Sequence, residues 1–121
     1  MNKNILIVDD NPDILISSKL LLEKRGFNVQ TVNSGQECID KIKKGFKGLV
    51  CIDIFMPFMD GWDTIRKLVN MNLIKNINII VMSAISTYNE NKTKELEPYI
   101  DNYLCKLCGT SKFVETIEQY L

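Results

Sequence analysis

The chain has 121 residues, 45% of them apolar and 25% charged, which suits one soluble domain with a real core. Fifteen basic and fifteen acidic residues cancel, which argues against a nucleic-acid-binding module built on a basic patch. No apolar run approaches the ~20 residues that span a bilayer, and the short Ile5–Val8 run is no secretory signal, so a cytoplasmic location is expected.

Asn4-Ile5-Leu6-Ile7-Val8 reads as a buried strand that delivers Asp9 and Asp10. Asn11 and Pro12 suit the cap and first turn of a helix that runs to about Arg25, with Gly26 as its stop. Ile14, Leu15, Ser18, Leu21 and Leu22 share one helical face, and Ile16 and Leu20 lie one turn apart on the opposite face. An exposed apolar pair of this kind is a candidate contact site, set against the equally weighted reading of two incidental surface residues.

The alternation of Asn28-Val29-Gln30-Thr31-Val32 predicts a half-exposed edge strand. Ser34-Gly35-Gln36-Glu37 fits a capping box and opens a second helix to about Lys44. Leu49 to Asp53 is a buried strand ending on a carboxylate, followed by a loop with Pro57 and an Asp60-Gly61 turn. A third helix follows from Gly61 to Asn70, with Trp62, Ile65, Leu68 and Val69 facing inward.

Asn78 to Met82 predicts a fourth strand, ending in Ser83-Ala84. The polar stretch from Ser86 to Glu97 supports a weakly held fourth helix, capped by Thr87 with Glu90 and ended by Pro98. Asn102-Tyr103-Leu104-Cys105 is a short fifth strand ending at Lys106. A fifth helix starts near Thr110, with Phe113, Val114, Ile117, Tyr120 and Leu121 on one face. Five strands alternating with five helices predict an α/β fold. This is a five-stranded parallel sheet of order 2-1-3-4-5, flavodoxin-like and doubly wound, with helices on both faces.

Asp9, Asp10, Asp53, Ser83 and Lys106 all fall at carboxyl ends of strands, the rim where open α/β sheets bind ligands. Asp53 alone also reads as a simple strand-end acid, but the set converges on one site. Clustered carboxylates need a counter-charge, because two unit charges about 4 Å apart repel by roughly 4 kcal/mol at an effective dielectric of 20. Lys106 supplies one positive charge, and oxygen ligands without any histidine favour Mg²⁺ over Zn²⁺. Such a site suits phosphoryl chemistry with an Asp carboxylate as nucleophile.

The pieces Ile7-Val8-Asp9-Asp10-Asn11, Asp53-Ile54-Phe55-Met56-Pro57 with Met59-Asp60-Gly61, Val81-Met82-Ser83-Ala84 and Tyr103-Leu104-Cys105-Lys106 stand in order on the expected strands. The chain thereby resembles a response-regulator receiver domain of two-component signalling, over residues 1–121. The resemblance implies that Asp53 accepts phosphate. Asp10, Asp53 and the Phe55 carbonyl would bind Mg²⁺, with Asp9 acting largely through water. Ser83 and Lys106 would contact the phosphoryl group, and Ser83 and Tyr103 would form the switch. It implies a histidine kinase or histidine phosphotransfer protein as donor, docking at Ile16 and Leu20. An output domain or downstream protein would use the face of the fourth helix, fifth strand and fifth helix. A phosphorylation-dependent dimer is a further expectation, and neither nucleic acid nor membrane is an expected direct partner. The domain is expected to catalyse its own phosphorylation and a slow dephosphorylation rather than to act as an enzyme on other substrates.

The alternatives are a pseudo-receiver that binds without phosphate, or an Asp-dependent phosphatase of the haloacid type. The second Asp that such a phosphatase needs is replaced by Phe55. A flavin site lacks a phosphate loop after the first strand. Three departures from the family pattern stand out. Leu107 replaces the usual proline after Lys106, so a trans bond or rearranged loop is expected, since a non-proline cis bond costs about 3 kcal/mol. Phe55 and Ile85 are apolar where they would neighbour the phosphoryl group, which predicts slow hydrolysis. The four cysteines are expected to be reduced structural thiols, set against a redox or zinc reading of Cys105-x-x-Cys108, for which zinc lacks two further ligands. The sequence leaves open a stand-alone regulator or the receiver of a longer protein.

Overall fold

The computed structural model describes residues 3–83, 94–105 and 109–120. Five parallel strands form one sheet: β1 (Asn4–Val8), β2 (Asn28–Val32), β3 (Gly48–Asp53), β4 (Ile77–Ser83) and β5 (Asn102–Cys105), in the spatial order β2-β1-β3-β4-β5. The described helices are α1 (Pro12–Glu23), α2 (Gly35–Lys43), α3 (Gly61–Asn70) and α4 (Thr110–Glu118). The expected helix between β4 and β5 falls largely outside the described residues. Its described end is a turn, and Pro98 lies inside a 3-10 turn, Glu97–Tyr99, rather than ending a helix. Thus α4 is the helix expected as the fifth.

The helix starts follow local chemistry. The Asn11 side chain accepts from the Asp13 N–H at 2.9 Å, with Pro12 in the first turn of α1. The Ser34 hydroxyl accepts from the Glu37 N–H at 3.2 Å, while the Glu37 carboxylate reaches the Asn33 N–H, one residue before the expected partner. Asp60 and Asp63 form a full capping box on α3.

Strand alternation divides the core in two. Leu6, Val8, Val50, Ile52, Ile79 and Val81 point to one face, where Trp62, Ile65 and Leu68 of α3 and Ile39 of α2 cover them. Ile5, Ile7, Leu49, Cys51, Ile80 and Met82 point to the other, under Leu22 of α1 and Val114 and Ile117 of α4. Both faces of β1, β3 and β4 are thus buried, which is why these strands read as continuous apolar runs. The β2 burial alternates as its sequence does, in keeping with an edge position. On α1, Leu22 is buried, Ile14, Leu15, Ser18 and Leu21 are half-buried, and Ile16 and Leu20 are exposed.

Cys38 and Cys51 are free and buried, and burial pushes each thiol up from its ordinary 9.0 to about 12. A folded-state pKa above the unfolded value keeps its stabilising contribution below pH 9.0 and loses it as pH rises toward about 12. Iodoacetamide at pH 8 should therefore spare both residues in the native protein and label both in denaturant. Native labelling of either would contradict their burial.

Cys105 corrects the expectation of thiols throughout, because it is disulfide-bonded. Composition and compartment, the basis of that expectation, carry no information on which sulfurs meet in space. Cys108, Lys106, Leu107 and Ile85 lie outside the described residues.

Candidate functional site

Register builds the site. Val8 pairs with Ile52, so one step further along β1 and β3 brings Asp9 beside Asp53. Asp53 pairs with Met82, which places Ser83 one residue beyond the acid on β4. Ser83 pairs with Cys105, the residue before Lys106. The sheet order puts β1, β3 and β4 side by side, so these groups share one rim.

Asp9, Asp10 and Asp53 offer carboxylate oxygens that all lie within 4.8 Å of one another. Asp9 and Asp53 are buried, at 0% and 3% exposure, and Asp10 is exposed. The set therefore has a dry floor and a wet lip. The Asp9 Oδ1 accepts from the Asn11 N–H at 3.0 Å, and the Asp53 Oδ1 accepts from the Phe55 N–H at 3.3 Å. Each bond ties a carboxylate to the backbone two residues on, which limits its rotation. Three close carboxylates, with no nitrogen or sulfur donor among them, fit a hard divalent cation that keeps water ligands. Phe55 lies two residues past the end of β3, and its side chain is exposed. Ser83 is half-buried and Tyr103 is exposed on the neighbouring strands.

The sequence reads Gly61 as a turn residue that opens the third helix, with no close approach to Asp53. In the structure, α3 begins so close to the end of β3 that a Cβ on Gly61 would lie 2.4 Å from the Asp53 carbonyl oxygen. The Gly61 N–H also bonds the Ile54 carbonyl at 2.9 Å. This residue thus fixes the backbone under Asp53. Gly61→Ala should cost about 1–3 kcal/mol of stability by overpacking and should disturb the acid rim, as urea unfolding and amide shifts of Asp53 would show. Phe58 was also passed over. It is fully exposed at φ 68°, a left-handed conformation that is rare for an aromatic residue. With Phe55 it places two exposed rings on the loop that follows Asp53.

A doubly wound parallel sheet with three acids at the carboxyl ends of adjacent strands sets a candidate cation site on the rim where such sheets bind ligands. The chain matches the response regulator receiver domain over residues 5–118, and it belongs to that family. It is 34% identical over 121 residues to the response regulator GtcR of Aneurinibacillus migulanus, covering all of this chain and 48% of that protein. It is 25% identical over 121 residues to the polar-differentiation response regulator DivK of Brucella ovis, covering all of this chain and 98% of that protein. The chain spans 13–48% of the length of the first four curated relatives it matches. Among solved structures, a CheY-like receiver domain protein of Methanospirillum hungatei superposes with a TM-score of 0.90 at 36% identity, covering 97% of this chain and 92% of that one. The response regulator TrrA of Thermotoga maritima, solved with Mg²⁺-BeF, superposes with a TM-score of 0.83 at 28% identity, covering 98% and 99%.

Proposed function

We propose that this receiver domain is a phosphorylation-controlled switch in which Asp53 accepts a phosphoryl group. The observation that carries the reading is the buried Asp53, held by the Phe55 N–H within a triad of carboxylates. Supporting it, the similar TrrA was solved with Mg²⁺-BeF.

An Asp53 carboxylate oxygen attacks phosphorus, and the bond from phosphorus to the donor's leaving atom breaks, its electron pair departing with the donor. Asp10, Asp53 and the Phe55 carbonyl would hold Mg²⁺, with Asp9 acting through water. When bound, the cation neutralises charge on the transferring oxygens. Lys106 and the Ser83 hydroxyl contact the phosphoryl group. Ser83 is drawn toward that group, and Tyr103, exposed in this structure, turns inward and alters the face of β5 and the flanking helices.

The donor is a histidine kinase or histidine phosphotransfer protein, and Ile16 and Leu20, 61% and 57% exposed on α1, meet it. An output domain or downstream protein reads the altered face, a phosphorylation-dependent dimer being one form of output. The protein acts in the cytoplasm, as residues 1–121 of a stand-alone regulator or as the receiver of a longer one. Among the described residues no helix is long and apolar enough to cross a membrane.

Acetyl phosphate with Mg²⁺ should add one phosphoryl group by intact mass, and EDTA should prevent it. Absence of any adduct would favour the pseudo-receiver. Ile16→Ala should slow transfer from a histidine-phosphorylated donor about tenfold while leaving acetyl phosphate uptake unchanged, roughly the 1.4 kcal/mol of one buried anchor. Equal slowing with both donors would remove the docking role.

A further inference from the structure

A hollow of about 570 Å³ lies between α1 and α4, on the sheet face opposite α2 and α3. Its floor is Met82 of β4 and Leu104 of β5, both buried. Leu21 of α1 and Phe113 of α4 form apolar walls, with Ser18 between them. Lys24, at the carboxyl end of α1, is the one charged residue among the described lining residues. The volume is that of a small-molecule pocket.

We propose that this hollow binds a small amphiphile with an apolar body and a carboxylate head, as an effector of the domain. Met82 and Leu104 call for hydrocarbon or an aromatic ring, because burying unpaired polar atoms there is costly. The ammonium of Lys24, the one charge among the described lining residues, selects an anionic end over a neutral or cationic one. The floor residue Met82 directly precedes Ser83, so a filled pocket holds β4 just behind that hydroxyl. The effector role rests on the reading of Ser83 as a phosphoryl contact, whereas binding itself does not.

Octanoate, titrated into the intact protein and followed by ¹H–¹⁵N shifts without any phosphodonor, should bind saturably and move Met82, Leu104 and Phe113. Lys24→Glu should weaken octanoate by about tenfold and leave octanol unchanged, the selectivity of one charge-assisted contact. Ser18→Leu should fill the hollow, abolish binding of both and leave the protein folded. Octanoate should also change the rate of acetyl phosphate uptake at least about twofold in the native protein and not in Ser18→Leu.

No saturable binding, or equal binding of octanoate to Lys24→Glu, overturns the proposal. So does self-association that Ser18→Leu removes while octanoate leaves it intact, since the groove would then be a protein interface. Binding with no change in uptake overturns the effector role. If the native protein takes no phosphate at all, with or without octanoate, the assignment of Asp53 fails while the binding result stands.

Discussion

Asp53→Asn should take up no phosphoryl group from acetyl phosphate and Mg²⁺, and in EDTA it should be more stable than the native protein. The first effect follows from chemistry: an amide oxygen is a poor nucleophile, and Asp53 is the buried acid that ends β3. The second follows from charge. The oxygens of Asp9, Asp10 and Asp53 lie within 4.8 Å of one another. Removing one negative charge relieves two repulsions, together on the order of 1–3 kcal/mol once solvent near the exposed Asp10 is counted.

Added Mg²⁺ should then reverse the order. It stabilises the native protein by mass action and Asp53→Asn far less. Intact mass and thermal unfolding with EDTA or Mg²⁺ test both halves. An adduct that persists in Asp53→Asn would place the acceptor elsewhere. A variant less stable than native in EDTA would mean that the triad is not repulsive.

Phe55→Ala should shorten the lifetime of the phosphorylated protein about tenfold, equal to 1.4 kcal/mol of barrier. Hydrolysis needs water in line with the phosphorus–oxygen bond to Asp53, and that approach lies on the solvent side of the rim. Phe55 is two residues past the acid, tied to it through its N–H, and its side chain is 59% exposed there. The prediction rests on this nearness in sequence and on the ring's exposure, which keeps it out of the buried floor. Decay of the phosphoprotein after removal of acetyl phosphate, followed by mass, measures the effect. Equal lifetimes in native protein and variant would assign the timing to another residue. The variant should fold normally, since an exposed ring contributes little to the core.

Much of this was legible without coordinates. Uninterrupted apolar runs marked β1, β3 and β4 because each is buried on two faces, and alternation marked β2 as an edge. Asn11 and Ser34 act as helix caps through bonds no longer than local chain geometry allows, so the sequence alone locates them, whereas the cap at Asp60 read only as a turn. The acids were legible too, because a residue that ends a strand must lie at the sheet's rim.

Other features depend on which distant segments meet. The register of β1 on β3 and of β3 on β4 decides that Asp9 and Asp53 are neighbours and that Ser83 stands one step beyond. The lack of room for a Cβ at Gly61 arises where a helix start meets a strand end, and a turn dipeptide looks the same without it. The hollow between α1 and α4 depends on how two helices rest on one sheet. The sequence by itself thus determined the elements, their order and the acids at their ends, through interactions local in the chain. Only the tertiary structure decided the spacing of Asp9 and Asp53, the need for Gly61 and the hollow between α1 and α4. Each depends on how separate elements pack together rather than on any local pattern.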